Sequence, residues 1–553
     1  MRNFILIFSI VVLIFCFNFD AKSQKTATIV YEQFENWKLI PSRILNVKCS
    51  KSYAYIINSA STEKMYINYR KRITVKTAII QENKFAVVTS FDALSQAVFV
   101  EKPDTILGYI CKKAVYDVFS NKIEVWYTNQ SKFKGSPSIS FSPIDGLVLK
   151  YIVNGNRTIL AKSITLNDET IDAPGSEFAK VDDATYAAAQ IKSRYIRIPV
   201  FEKEQINFEN NILNKEEEVL NHTYRYSKGN VILRKIKLPE NNDKGLFFVQ
   251  LSDWSNGDAY DRVGSVFTFS VRNEKTILSA LQNGIAKLPV YNDNASNAYQ
   301  GICATSDYEP AIELMRFFTP FGVGFFNKKR SIAGYQWSDS AVFKQEVTAL
   351  IPTDEKEIWI GVFIGNYDKG GHKVSLDLDF YPDTEMIYRN KWVLPLFSTV
   401  NIMEAAGQNY GKLFQNDSLK MDFELPDSIQ NLKLLFTTTG HGGWENGDEF
   451  IPKLNQVFID GKAVFQHTPW RTDCGSYRLL NPASGNFPDG LSSSDLSRSN
   501  WCPGSLTPPF LIPLSNLSKG KHSIQVVIDQ GKPEGGSFSH WCVSGVLVGN
   551  GKY

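Results

Sequence analysis

Histidine is scarce in this sequence, with six in 553 residues. None stands in a His-Glu-x-x-His pattern and no two are at zinc-ligand spacing, so the common hydrolytic zinc sites are not expected. There is no Gly-x-Ser-x-Gly nucleophile elbow and no phosphate-cradling glycine loop. No Lys/Arg-rich tract occurs, and 60 basic against 57 acidic residues leave a net charge of only +3, which counts against nucleic acid or an anionic membrane surface as a partner. Helical periodicity is sparse and strands do not alternate with helices, which counts against a nucleotide-binding parallel sheet. Beyond the first two dozen residues no apolar run is long enough to span a bilayer.

The amino terminus differs from the rest. Met1-Arg2-Asn3 precedes "FILIFSIVVLIFCFNF" and then "DAKSQ". One positive charge, an apolar stretch and small residues at Ala21 and Ser23 predict a secretory signal over 1–23, cut before Gln24, with an uncleaved membrane anchor as the alternative because the run is long for a signal core and short for a span. Ile14-Phe15 ahead of Cys16 do not fit a lipoprotein site. Export gives the remaining cysteines a meaning. Cys49, Cys111, Cys303, Cys474, Cys502 and Cys542 are even in number, and an oxidising compartment predicts three disulfides whose pairing the sequence does not fix. The same compartment disfavours a cysteine nucleophile.

Two-residue alternation is frequent. In "HKVSLDLDFYP", Val374, Leu376, Leu378 and Phe380 share one face, and "KHSIQVVIDQG" repeats this with Ile524, Val526 and Ile528. In "NQVFIDGKAVFQH", Asp460-Gly461 between two apolar runs signals a hairpin. Half-buried strands separated by turns predict an all-β chain of antiparallel sandwiches. The expected division is a first, mostly-β domain over 24–190 with one helix near "DDATYAAAQIKSRY", a second β unit over 196–390, and a third over 391–553. Nothing is low in complexity. At 43% apolar residues the chain has enough to fill several cores.

Three stretches offer chemistry. "WSNGDAYDR" (254–262) reads as a polar bend, yet a bend does not need Asp258, Asp261 and Arg262 crowded round Tyr260. "TTTGHGGWENGDEF" (437–450) presents His441, Trp444, Glu445, Asp448 and Glu449 among glycines. A loop-rich segment runs from Cys474 to Cys502 with Arg498 and Trp501 beside its end. Carboxylates, arginines and flat aromatics suit a neutral, sugar-bearing substrate, because rings cover the apolar face of a sugar while acids and guanidinium groups bond its hydroxyls.

"GDAYDR", "TTTGHGGW" with "GDEF", and "SRSNWCPG", in that order, resemble the bacterial peptide-N4-(N-acetyl-β-glucosaminyl)asparagine amidase F family. The likeness extends to "FFTPFGVG" (317–324) and "KVSLDLDF" (373–380) and covers about 196–553. It implies two adjacent eight-stranded antiparallel jelly rolls with a site between them. It also implies hydrolysis of the amide joining an N-glycan to asparagine in a glycoprotein or glycopeptide, without metal or cofactor. The family's principal catalytic aspartate falls on Asp261 and its second acid on Glu449. Its binding residues fall on Tyr260, Arg262, Arg498 and Trp501, and its bridge on Cys474–Cys502. Of the other substrate-side residues, in the glycine-rich stretch, Trp444 is expected as wall and not reactant, and His441 either receives charge from the carbonyl oxygen or makes a structural hydrogen bond. Arg262 is expected to favour the ionised form of Asp261, and Arg498 or backbone amides of 440–443 to receive charge on the carbonyl oxygen.

There are departures from the family pattern. Gly257 replaces a family cysteine. A third family acid aligns near Gly365-Asn366, where Asn366 and Tyr367 stand instead as binding residues. The segment 272–316 looks like an insertion. Residues 24–190 lie outside the likeness to the minimal enzyme, although some longer members carry an amino-terminal domain, and "SISFSPIDGLVLKYIVNGNRTILAKSI" is similar to the GLPGLI family of small exported β proteins. Cys49–Cys111 is the natural pair inside that domain, and Cys303–Cys542 an additional one. A glycosidase using the same two carboxylates, or a glycan-binding module without catalysis, remains an alternative from sequence. A monomer is the default.

Overall fold

The computed structural model describes residues 26–57, 62–209, 212, 214, 217–271, 275–383, 385, 391–409, 411–426, 429–442, 447–486, 490–515, 517–532 and 538–551. The expected signal segment lies outside them. Among the described residues no helix is long and apolar enough to cross a membrane. The fold is dominated by strands in antiparallel sheets, as the alternation predicts, and divides into two compact units, Met1–Arg194 and Tyr195–Tyr553.

The first unit is a twelve-stranded sheet. Its opening strand, Thr26–Glu35, pairs with both Lys38–Cys49 and Arg157–Asn167, so an early and a late segment are neighbours at its centre. Ile29, Tyr31, Val47, Leu147 and Leu149 fill its core. The expected helix forms at Asp183–Ser193, where Asp182 caps the first turn by accepting from the Thr185 amide at 2.6 Å. Cys49 and Cys111 are both buried and unbridged, which corrects the expected pairing. Their strands, Lys38–Cys49 and Tyr109–Val118, stand five positions apart in the sheet order. Each thiol packs as a small hydrophobe, and burial pushes Cys49 up to about 12 and Cys111 to about 11.

The second unit contains two sandwiches. In the first, a four-stranded sheet (Ile196–Ile206, His372–Pro382, Gly245–Ser255, Ala341–Glu346) faces a six-stranded one. The latter runs Thr223–Tyr226, Val231–Lys237, Glu357–Ile364, Val263–Phe269, Ile312–Phe318, Leu506–Thr507. Its last strand comes from the late part of the chain. Ile312–Phe318 is an integral strand, so what is inserted after residue 271 ends before it. The alternation over 372–380 lands as expected, with Val374, Leu376, Leu378 and Phe380 inside.

The second sandwich sets Lys391–Ser398, His540–Asn550, Gln430–His441 and Phe510–Pro513 against Leu419–Leu425, Gly520–Ile528, Asn455–Ile459 and Lys462–His467. The hairpin at Asp460-Gly461 forms with φ of 50° and 75°, as a primed turn requires. The strand His540–Asn550 is buried on both faces. Val543 and Leu547 enter the core of the second sandwich while Val546 and Val548 enter that of the first, so its sequence reads as a nearly continuous apolar run. A Cβ at Gly545 would lie 2.4 Å from the Phe397 ring, so glycine alone fits that crossing.

A buried polar seam fixes the two sandwiches beside this strand. Arg316 pairs with Glu313 at 2.7 Å and donates to Thr439 Oγ1 at 3.2 Å and to the Cys542 carbonyl. Glu313 accepts from Ser265 at 3.1 Å and from Ser544 at 2.6 Å. With its lone pairs occupied on both sides, the ion pair is satisfied as well as buried. Cys303 and Cys542 are buried free thiols, each pushed up to about 12 by burial, and not the additional bridge expected. Cys303 packs into the second core, whereas Cys542 packs with Phe267, Trp359 and Val400 in another cluster.

Candidate active site

The strand Gly245–Ser255 ends at the sandwich rim, and the chain turns there through a braced corner. Ser255 Oγ donates to the Asp258 carbonyl at 2.6 Å and accepts from the Gly257 amide at 3.2 Å. The Asn256 amide donates to the Gly371 carbonyl at 2.8 Å. Gly257 has φ 140°, which a side chain would strain. Asp258 is buried and accepts from the Tyr260 amide at 3.1 Å and from Arg262 Nε at 2.8 Å and Nη2 at 3.2 Å. Burial raises its carboxyl, but His372, Arg262 and the Tyr260 amide together hold it well below the usual range. Thr319 closes the corner, accepting from the Arg262 amide at 2.9 Å while its own amide donates to the Arg262 carbonyl at 2.9 Å. Asp261 is thereby presented outward between two fixed neighbours.

The partner surface comes from the second sandwich. The Cys474–Cys502 disulfide closes the loop that carries Arg498, across a sequence separation of 28. Such closure stabilises by about 3–4 kcal/mol in the chain-entropy account. Arg498 and Arg471 exchange backbone hydrogen bonds, Ser499 N–H donates to the Glu449 carbonyl at 3.0 Å, and Trp501 Nε1 donates to the Gly440 carbonyl at 2.9 Å. The loop is therefore pinned directly to the residue it faces.

Arg498 joins the two acids. Its Nε lies 2.9 Å from Glu449 Oε1 and its Nη2 lies 3.6 Å from Asp261 Oδ2. The arginine side chain is 1% exposed, whereas Asp261 and Glu449 keep 16% and 19%, so a ligand can reach the carboxylates but not the guanidinium between them. Behind it lie Trp501, 4.9 Å from the guanidinium carbon to the ring centre, and Phe450 at 5.1 Å. Burial raises Glu449 to about 7, Arg498 opposes the rise, and the charge of Asp261 adds to it. Burial also raises Asp261, against the pull of Arg498 and Arg262. The two carboxylates flanking this buried cation titrate as a coupled pair, the charge of Asp261 favouring the protonated form of Glu449.

The family model described as "Peptide-N-glycosidase F, N terminal" matches residues 197–380, and "Peptide-N-glycosidase F, C terminal" matches 409–548. A third, "N-glycanase peptide, N-terminal domain", matches 27–188. A solved structure of PNGF-II is 44% identical, covering 96% of this chain and 99% of its own, with a TM-score of 0.85. A second PNGF-II structure is 43% identical over 96% and 100%, with a TM-score of 0.86. The chain belongs to the peptide-N-glycosidase F family. PNGase F from Flavobacterium meningosepticum, described as a glycosylasparaginase, is 17% identical over 65% of this chain and 96% of its own, at a TM-score of 0.43. No curated protein sequence matches. The match over 27–188 agrees with the expectation that some longer members carry an amino-terminal domain.

Several expected roles change in this member of the family. Arg262 favours the ionised form of Asp261 as expected, but across space: its head clamps Asp258, and its guanidinium carbon lies 5.2 Å from the centre of the Tyr260 ring and 5.9 Å from that of Tyr367. Those two tyrosines are open, 63% and 55% exposed. The Tyr367 hydroxyl donates to Glu404, which no motif had marked. Asn366, expected at the binding surface, is fully buried, with its side-chain amide and backbone carbonyl bonded to Asn230. His441 is buried too, bonded to Thr439 Oγ1 at 2.8 Å and packed among Phe318, Trp501 and His540. Burial, His540 and Arg316 hold it well below its usual value, so it is neutral. Trp501 is a buried backing stacked on Phe318 at 4.4 Å, not a wall facing ligand.

Arg498 donates to Glu449, the Leu496 carbonyl and Ser493 Oγ and lies 3.6 Å from Asp261, so its buried head is turned to the acids. The Gly440 amide is likewise used, donating to the Ser499 carbonyl at 3.2 Å. Trp444 lies outside the described residues.

Proposed function

We propose that the chain hydrolyses the β-aspartylglucosamine amide that links N-glycans to asparagine, releasing the glycan as a glycosylamine and leaving aspartate in the peptide. The meeting of Asp261 and Glu449, from different sandwiches, on the single buried guanidinium of Arg498 carries this reading. Asp261 removes a proton from water as the oxygen attacks the amide carbonyl carbon. As the carbon–nitrogen bond breaks, Glu449 delivers a proton to the departing nitrogen. Proton return from Asp261 to Glu449 through solvent restores the pair. Arg498 keeps the acids at fixed separation, so positioning supplies what a weak carboxylate base lacks. Tyr260 and Tyr367 offer exposed ring faces on which sugar can stack.

In this reading the reaction has no metal step, and the protein acts as a monomer exported after cleavage before Gln24. Its mature chain comprises an accessory domain (24–190) and two catalytic β units (196–390 and 391–553). Mass analysis of a defined N-glycopeptide after incubation tests it. The expected product is the free peptide with aspartate at the glycosylation site. A peptide that retains one sugar on asparagine would establish a glycosidase, and binding without release a glycan-binding module; either overturns the proposal.

A further inference from the structure

Beneath the corner that presents Asp261 lies a buried charge chain that no sequence motif had marked. His372 opens the strand His372–Pro382 on its inward face, where the residues two and four positions on are valine and leucine. Its Nδ1 is 3.0 Å from Asp253 Oδ1 and its Nε2 is 3.7 Å from Asp258 Oδ2. The side chains of His372, Asp253 and Asp258 are 0%, 0% and 1% exposed. We infer that His372, charged between Asp253 and Asp258, is a positioning residue for Asp261, acting through Asp258 and its clamp on Arg262 and the Tyr260 amide. The inference rests on the proposed hydrolysis and adds a residue outside the ligand-facing surface.

The argument is one of charge balance. With an imidazolium, two carboxylates meet two cations, His372 and Arg262, and the buried cluster is neutral. With a neutral ring protonated on Nδ1, the Nε2 lone pair would point at the carboxylate of Asp258, and a net negative charge would remain away from water. Among the described residues neither Nε2, 3.7 Å from Asp258 Oδ2, nor Asp253 Oδ2 has a hydrogen-bond partner, so none of them relieves that arrangement. The charged groups acting on the ring are Asp253, on the neighbouring strand Gly245–Ser255, and Asp258, on the bend; together they outweigh burial and raise His372 to about 9. On its other side the ring's strand pairs Ile206 with His372, and that partner carries no charge. Loss of the proton would repel Asp258 from beneath the corner and loosen the bonds that fix Arg262 and Tyr260 on either side of Asp261.

Two measurements on the full chain decide this. In histidine-labelled protein, the imidazole signal missing from His372→Gln should remain that of the charged form at neutral pH and change only as pH rises through about 9. Asp253→Asn should lower that midpoint. A neutral ring at pH 7 overturns the inference whether or not the variants fold. In glycopeptide hydrolysis, His372→Gln should lower kcat on the order of ten- to a hundredfold with little change in KM, and should remove the further decline of the wild type near pH 9 while leaving the limb near 7 that Glu449 sets. Unchanged kcat and profile overturn it. If the wild type releases no glycan, the proposed hydrolysis fails by itself. Amide hydrogen exchange over 256–262 then serves as the second measurement: acceleration in His372→Gln supports the positioning role, and unchanged exchange refutes it.

Discussion

Replacing Arg498 by methionine keeps much of the side chain's length and removes the charge that two acids share, together with the hydrogen bonds to the Leu496 carbonyl and Ser493 Oγ. At 2.9 Å and 3.6 Å, with an effective dielectric of about 20, each carboxylate gains roughly 5 kcal/mol from the guanidinium. Burying that cation offsets much of the gain, and deleting one partner of a buried pair costs about 3–5 kcal/mol net. The stranded carboxylates recover part of this by holding their proton more tightly, and about 3 kcal/mol spent that way moves the shared proton up by about two pH units. Glu449 already sits at about 7, so in Arg498→Met the pair would keep its proton well into the alkaline range and Asp261 would lose its character as a base. Steady-state glycan release should fall by a factor on the order of a hundred or more, with the profile displaced to higher pH. Arg498→Lys, which restores a charge but not a two-pronged donor, should recover part of the rate. Release is followed by peptide mass across pH, with circular dichroism as a check on folding. Folded Arg498→Met with wild-type kcat and unshifted limbs would refute the reasoning.

Because Glu449 is raised to about 7, kcat should decline as pH climbs through that value, and Glu449→Gln should lack that limb; a wild-type rate flat from slightly acid to alkaline pH would contradict the assignment. His372 has a folded value of about 9 against 6.5 when free, so its contribution of about 3 kcal/mol is complete below 6.5 and lost as pH rises through 9. The stability gap between wild type and His372→Gln, read from denaturant midpoints, should shrink over that window. The four buried thiols at Cys49, Cys111, Cys303 and Cys542 should resist a thiol reagent in the native protein and react once it is unfolded; rapid native labelling of any of them would contradict the packing.

The strands were legible where local chemistry decides them. Alternation over 372–380 and the Asp460-Gly461 turn depend on neighbours in sequence, and both formed as read. Asp261, Glu449 and Arg498 could be marked one by one, and the structure gathers them. Their division of labour was not legible, because it depends on which side of each element is covered. His441 stands opposite His540 across two strands a hundred residues apart, and that pairing, not its glycine-rich neighbourhood, turns the ring inward. Asn366 is held by Asn230, and Arg262 by Asp258 in place of the adjacent Asp261. Cys474–Cys502 formed as the resemblance implied, but the Cys49–Cys111 and Cys303–Cys542 pairings failed for the same reason, since an even count says nothing of distance. One missed residue did leave a trace: two-residue spacing from Val374 and Leu376 puts His372 on the covered face, where a histidine needs a charged partner.

The doubly covered strand His540–Asn550 sets an order of events during synthesis. The sandwich that carries Asp261 cannot finish its own interior until Val546 and Val548 have left the ribosome, long after its other strands. Glu449 and Arg498 also emerge late. A nascent or truncated chain therefore holds its hydrolytic apparatus in pieces, and competence arrives as a single late step.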